Sequence, residues 1–423
     1  MRVILTVGFL VGAVTLGACG SETHLGGIPV PPLDGAPSTS LAPGSPLLEW
    51  RVASAAGDCE NAGLVAITGN GPGFIAAGTL INVGGHRSAA VCVSTDGRSW
   101  RPAPAGDGSF RNSWIEGLAA GAGGTVAVGS VVTGVAGDFE VRRAAVWTSA
   151  DGSSWERAPH DEIIFGRSPG LDPASGIVEM TAVAATSEQI VAVGVDRTPG
   201  HLGETWTAAI WASPDGISWT RVADEDGFRR ATIHAVLPVA SGWVAVGNAP
   251  SVGTTRVAAV WTSTDGASWQ RVPHDPAVFG VGRTSIAGVA ESGTGLVAVG
   301  SDRSLAPPAA AVWVSPDGTS WSRVPHDESV FGGPGLQAME AVTAAPSRFV
   351  AVGVDWPDQS EPRPAVWESD DGLTWHRVPA AMVPVGEPGG AWMTAVAAGP
   401  DGVVAVGRSG MTGTIWVASL PGW

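Results

Sequence analysis

The stretch that decides the fold reads Ala258-Ala259-Val260-Trp261-Thr262-Ser263-Thr264-Asp265-Gly266-Ala267-Ser268-Trp269-Gln270-Arg271-Val272. An apolar run ending in Trp meets a polar Ser-x-Asp-Gly-x-Ser-Trp segment, and a second strand-like run follows. Asp-Gly between two such runs signals a hairpin, because Gly takes positive φ freely and the Asp carboxylate accepts backbone N–H groups across the turn. The same pattern returns at 94–100, 149–155, 213–219, 315–321 and 369–375.

Working outward, a hydrophobic strand ending in Gly occurs seven times, at Gly78, Gly129, Gly194, Gly247, Gly300, Gly353 and Gly407. Each is preceded by another apolar segment, beginning at Leu64, Ile115, Met180, Ile233, Ile286, Met339 and Met393, always 14 residues before its Gly. A tight hairpin of constant length is the simplest cause. The units repeat every 55 residues or so, roughly the period of propeller blades rather than of helical repeats. Four short strands per unit, seven units and no helical periodicity predict an all-β chain, a seven-bladed β-propeller of four-stranded blades. The seventh unit has a third strand at 414–417 but no fourth, while Trp50-Arg51-Val52 matches the fourth strand of the other units. The N-terminal strand is therefore expected to complete the last blade and close the ring without an open edge.

Six copies of Ser-x-Asp-Gly-x-Ser/Thr-Trp resemble the Asp-box, or BNR, repeat of sialidase-type propellers, over nearly all of residues 48–423. The match departs by one residue, since the usual box has a spacer between Asp and Gly. The resemblance implies that the box is a structural hairpin away from the ligand face. Asp96, Asp151, Asp215, Asp265, Asp317 and Asp371 are accordingly read as turn residues, with calcium ligation as the alternative. It also implies a Tyr nucleophile for sialidase chemistry, and this chain of 423 residues contains no Tyr. A glycoside hydrolase or lyase of this type would need a different mechanism, such as a pair of carboxylates.

Composition narrows the remaining classes. The formal charge is −16, all 23 basic side chains are Arg, and 39 residues are acidic. No basic surplus exists to replace phosphate counterions, which argues against a nucleic-acid partner. The lack of Lys removes Schiff-base chemistry and phosphate-loop motifs. No cofactor motif and no metal-ligand spacing is present.

Residues 1–18 carry one charge, Arg2, and an apolar run too short to span a bilayer comfortably, as in a signal peptide. Leu16-Gly17-Ala18-Cys19 resembles a bacterial lipobox, which implies a lipid on Cys19 and attachment to the outer face of the cytoplasmic membrane, or secretion if Cys19 is not lipidated. Residues 19–47 read as a flexible Gly/Pro/Ser tether and 48–423 as the propeller. Cys59 and Cys92 are expected to pair as a disulfide in an oxidising compartment, or else to be small buried hydrophobes.

Connections of constant length lie at one end of every unit, and those of variable length at the other, with the longest insertions at 130–143 and 166–179. A rigid end and a variable end are how repeat folds present a binding surface. On the variable end, Pro-His-Asp-x-x-x-Phe recurs at His160/Asp161/Phe165, His274/Asp275/Phe279 and His326/Asp327/Phe331. Recurrence around a ring argues for a packing anchor with a capping Asp, against a metal or acid–base reading. The candidate ligand face comprises Arg142, Arg143, His160, Asp161, Asp196, Arg197, His201, Asp302, Arg303, Asp355 and Trp356, with Asp138, Glu140 and Glu204 nearby. Arg beside Asp suits a carboxylate or sugar hydroxyls, and Trp356 suits a sugar ring. The alternative is a set of solvated loop charges. The expected function is a monomeric, lipid-anchored, non-catalytic binding or assembly module for a protein, peptide or glycan, with the glycoside hydrolase or lyase as its alternative.

Overall fold

A computed structural model describes residues 47–419, apart from 72, 82–86, 105–109, 122, 138, 169–170, 173, 199–204, 223–225, 252–254, 358–359, 401 and 411. The described chain is all-β, broken only by single-turn helices, and forms a β-propeller domain of mostly four-stranded antiparallel sheets. We number its units in chain order: unit 1 (63–102), unit 2 (113–157), unit 3 (177–221), unit 4 (232–271), unit 5 (284–323), unit 6 (335–377) and unit 7 (391–419). Units 2 and 3 share one eight-stranded sheet, joined by a parallel bridge between Arg142 and Ile177. Strand Glu49–Val52 pairs antiparallel with the last strand, Thr412–Ser419, Trp50 lying opposite Ala418.

The Gly of each repeat does not end its strand, since the second strand runs on past it in every unit, as Ile190–Thr198 does past Gly194; the Gly has another cause. In every unit the first strand bulges opposite this Gly, so that one residue is skipped by the ladder, as between Met180 and Ala182 opposite Gly194 and Val193. The bulge presses a backbone carbonyl onto the Gly: a Cβ there would lie 1.9–2.1 Å from the carbonyl oxygen of Gly63, Trp114, Glu179, Thr232, Ser285, Ala338 or Trp392. No side chain fits.

Hydrophobic burial lies between units rather than within them. Val191, Ile210 and Ala208 of unit 3 pack with Ile233, Trp243 and Trp261 of unit 4, and the pattern repeats from one unit to the next. Val350 and Val366 of unit 6 pack with Met393 and Trp416 of unit 7, and Val404 and Ile415 of unit 7 pack with Leu64, Phe74 and Trp100 of unit 1. The Trp at the end of each third strand from unit 2 onward is fully buried. Unit 1 has Cys92 at that place, bonded in a disulfide to Cys59 on the short helix Asp58–Asn61. The Leu48 amide donates to the buried Glu368 of unit 6 (3.0 Å), fixing where the N-terminal strand begins. That start lies at the Asp-box end, since Glu49 is opposite Ser419, whose hydroxyl accepts from Arg98 of the first box (3.1 Å).

The insertion at 130–143 is an extension of two strands rather than a loop: Gly124–Ala136 and Phe139–Ser149 run 13 and 11 residues as one long hairpin. The single-turn helices Glu162–Phe165, Pro276–Phe279 and Glu328–Phe331 were not visible as a helical period, because four residues are too few to show one.

Candidate functional site

The six Asp boxes are closed, self-satisfied turns. Each Asp Oδ1 accepts the amides two and three residues on, at 2.7–2.9 Å, and each box Trp donates its Nε1–H to the Gly carbonyl at 2.8–3.1 Å. Gly97, Gly152, Gly216, Gly266, Gly318 and Gly372 sit at φ between 71° and 81°. The amides at Ser268 and Ala267 hold Asp265 down to about 2, and the equivalent amides lower Asp151 and Asp215. An open cleft of about 460 Å³ lies at this end between units 2 and 3, lined by Thr125, Ser154, Asp151 and Asp215. It is the larger cavity, yet its carboxylates are already engaged in their own turns.

At the opposite end, three of the sequence candidates belong to one repeated internal device. Two residues past the repeated Gly stand Asp196, Asp302 and Asp355; two residues past the box Trp stand Arg221, Arg323 and Arg377. The pairs meet at 3.4, 2.7 and 2.7 Å, and each guanidinium lies 5.3–5.6 Å over the third-strand Trp of its own unit. Fourth strand, second strand and Trp are thereby riveted together. Asp196 is fully buried and also takes Arg167 (2.6 Å) and the Ser168 amide (2.6 Å). Asp355 also accepts from Gln337 (2.6 Å).

The Pro-His-Asp-x-x-x-Phe motif builds a clamp between units. Asp161, Asp275 and Asp327 cap their helical turns by accepting amides at 2.8–2.9 Å, His160, His274 and His326 pack on the Phe five residues later, and Phe165, Phe279 and Phe331 are buried. The carbonyls of Ile164, Val278 and Val330 accept Nε1–H of Trp211, Trp313 and Trp367 in the unit that follows, at 2.7–2.8 Å. His160 additionally meets Glu162 at 3.1 Å, and Glu162 takes the buried Arg143 at 2.8 Å. A smaller cavity of about 230 Å³ borders His160 and Phe165.

The other candidates divide. Arg142 and Arg197 grip Glu179 at 3.1 and 3.5 Å, and Arg142 lies 4.6 Å over Trp114. The charge of Arg303 acts on the carboxyl of Glu340, and that of Glu140 on Arg142. Trp356 is exposed, with its Nε1–H on the Ser360 carbonyl (3.1 Å). Asp138, His201, Glu204 and Cys19 lie outside the described residues.

The sequence reading missed the residues skipped by the bulges: Val65, Glu116, Thr181, His234, Ala287, Glu340 and Thr394. Five of the seven are polar, but Val65 and Ala287 are not, so polarity alone does not mark the position. Burial, reinforced by the charge of Glu179 and opposed by Arg142, raises the Glu116 carboxyl to about 7. Burial also raises Glu340, against the pull of Arg303. Burial and then Arg256 lower His234 to about 4, although its side chain keeps solvent-accessible surface. His234 Nε2 lies 3.3 Å from the Asn248 amide nitrogen, which donates to Ser285 (2.9 Å).

Known proteins align with this architecture only at the level of the fold. The chain matches no curated protein. Trypanosoma rangeli sialidase is similar over 76% of this chain and 56% of its own, at 14% identity and a TM-score of 0.46. Pyrococcus horikoshii acylaminoacyl peptidase is similar over 85% of this chain and 51% of its own, at 8% identity and 0.47. The chain thus spans about half the length of both enzymes. The β-propeller domain of the Trilobed protease from Pyrococcus furiosus is similar over 86% of this chain and 97% of its own, at 9% identity and 0.47. Residues 209–419 match the family model of the DUF6242 beta propeller domain, and the repeated four-stranded sheets agree with it: the chain carries an all-β propeller.

Proposed function

We propose that the chain is a seven-bladed propeller closed by its N-terminal strand, held at the outer face of the cytoplasmic membrane by a lipid on Cys19, and that it works as a non-catalytic binding or assembly module. The observation that carries this reading is the contrast between the two ends of the units. One end is a set of self-bonded turns; the other has variable connections, the exposed Trp356, and the shifted titratable groups Glu116 and His234. Residues skipped by the bulges would line a central channel opening on that end. A protein, peptide or glycan partner is the expected ligand.

A second reading keeps one specific observation on its side. Glu116 holds its proton near neutrality and the charge of Glu179, gripped by two Arg side chains, acts on it; a protonated carboxyl near a second carboxyl group is the pairing a glycosidase or lyase without Tyr would use. The test is a panel of sialosides and other glycans offered to the soluble 48–423 fragment, with turnover and retention both read. Retention without turnover, lost when 130–143 is trimmed, supports the binding module. Turnover abolished by Glu116→Gln overturns it in favour of the enzyme.

A further inference from the structure

Most of the partly or fully buried Arg side chains described above have carboxylate partners, as expected where 39 acidic residues face 23 Arg. The Asp of units 3, 5 and 6 (Asp196, Asp302 and Asp355) is replaced by Leu80, Val131, Ala249 and Ser409 in units 1, 2, 4 and 7; in unit 4 Arg271 donates to the Pro250 carbonyl instead (3.2 Å).

Around the mouth of the same unit stand Arg256, Arg230 and His234. Half-buried Arg256 lies 4.9 Å over Trp206 and donates one nitrogen to Thr232, while its Nε is buried with no partner. Burial and then the charge of Arg230 push its pKa down, and Arg256 does the same to His234. Among the described residues no carboxylate is paired with any of the three. Their other partners among the described residues, Asn248, Thr232, Ser285 and Trp206, are neutral.

The charge of Arg230 acting on half-buried Arg256 opposes folding, and the backbone adds to the cost at Arg230. Its φ is +56°, a left-handed conformation that Asn accepts readily and Arg does not. The matching place in the preceding Phe-Arg-x connection, after unit 1, is held by Asn112 at φ +52°, with its amide bonded back to the Arg87 carbonyl as that of Arg230 is to Trp206. An Arg kept where Asn would be easier, with its charge acting on a second Arg, suits a bound negative charge.

We propose that Arg230, Arg256 and His234 form a binding site for one oxoanion group, a phosphate, sulfate or carboxylate, either free or borne on a saccharide. It rests on the reading of the variable end as the ligand face. Arg256 and Arg230 supply charge-assisted donors. With the Asn248 amide donating to Nε2, the imidazole proton sits on Nδ1 and is a third donor. An anion favours the imidazolium, and rotation of the Asn248 amide then turns its unpartnered Oδ1 to receive the second ring proton.

The test follows His234 by NMR in the full-length protein, assigned by difference from His234→Gln, in chloride and then in sulfate, inorganic phosphate, glucuronate or glucose at equal ionic strength. The oxoanions are expected to raise the His234 pKa by about one pH unit or more, and glucose to leave it unchanged. Response to glucuronate alone assigns a saccharide-borne carboxylate; response to phosphate and sulfate assigns a free anion. Arg230→Asn relieves the backbone and should fold at least as stably, while weakening sulfate binding at least about fivefold. Arg256→Gln should raise the His234 pKa without any anion and abolish the response. A His234 pKa indifferent to every anion, or equally responsive in Arg230→Asn, overturns the site. Partner retention unchanged in Arg230→Asn also overturns it but leaves the binding module standing. An anion response without any retained partner keeps the site and removes the module.

Discussion

At the scale of single residues, the Asp boxes show how a carboxylate becomes structural. Asp265 accepts the amides of Ala267 and Ser268 and two Ser hydroxyls, so removing it leaves amide donors at a tight turn without an acceptor. Asp265→Ala is expected to cost about 1–2 kcal/mol in urea unfolding and to leave ligand retention untouched. Glu116 behaves in the opposite sense. Its carboxyl is raised from the ordinary 4.5 to about 7, so the folded state holds the proton more tightly than the unfolded chain does. That contribution is full below pH 4.5 and is lost as pH rises through 7, at most about 3 kcal/mol. Unfolding measured from pH 4 to 8 should show this decline in the wild type and not in Glu116→Gln; parallel curves would refute the assignment.

Elements are tied to one another by polar contacts that the hydrophobic pattern does not contain. The Asp302–Arg323 pair over Trp313 joins three strands of one unit, and the Trp313 Nε1–H on the Val278 carbonyl joins that unit to the one before. Trp313→Phe keeps most of the ring and removes the donor, so a loss of about 1–3 kcal/mol is expected from the stranded carbonyl and the small void. A calorimetric change below about 0.5 kcal/mol would show that the clamp does nothing for stability. The hairpin at each unit was legible as a constant spacing of 14 residues, and the Asp-box turn as a motif. The bulge was not, because nothing in the local pattern of apolar residues distinguishes a skipped position from a paired one. Glu116, His234 and Glu340 therefore looked like ordinary strand residues, and only the ladder shows that they are out of register.

On the scale of the molecule, stability resides in the contacts from unit to unit, including those that involve both ends of the chain. Trp50 is buried between units 6 and 7, strand 49–52 pairs with 412–419, and the Cys59–Cys92 disulfide anchors the segment that follows to unit 1. Trp50→Ala is expected to cost about 3–5 kcal/mol and to unfold the domain in one cooperative transition rather than to fray one strand. Reduction of the disulfide, closing a separation of 33 residues, should cost about 3–4 kcal/mol in the chain-entropy account, read as a lower midpoint in denaturant with reductant.

The sequence by itself determined the strand count per unit, the hairpin turns, the repeated Trp and Phe anchors and the match of 50–52 to a missing fourth strand, because each depends on neighbours a few residues apart or on a repeated period. Tertiary structure decided which charges are free. Asp196, Asp302 and Asp355 read as loop carboxylates open to a ligand, and the fold brings Arg221, Arg323 and Arg377 to them from 21 to 25 residues away. Arg230, Arg256 and His234 were unremarkable in the sequence, and among the described residues the fold pairs none of them with a carboxylate. Ionic partnership is set by distances across strands and between units, and a linear pattern records the charges but not those distances.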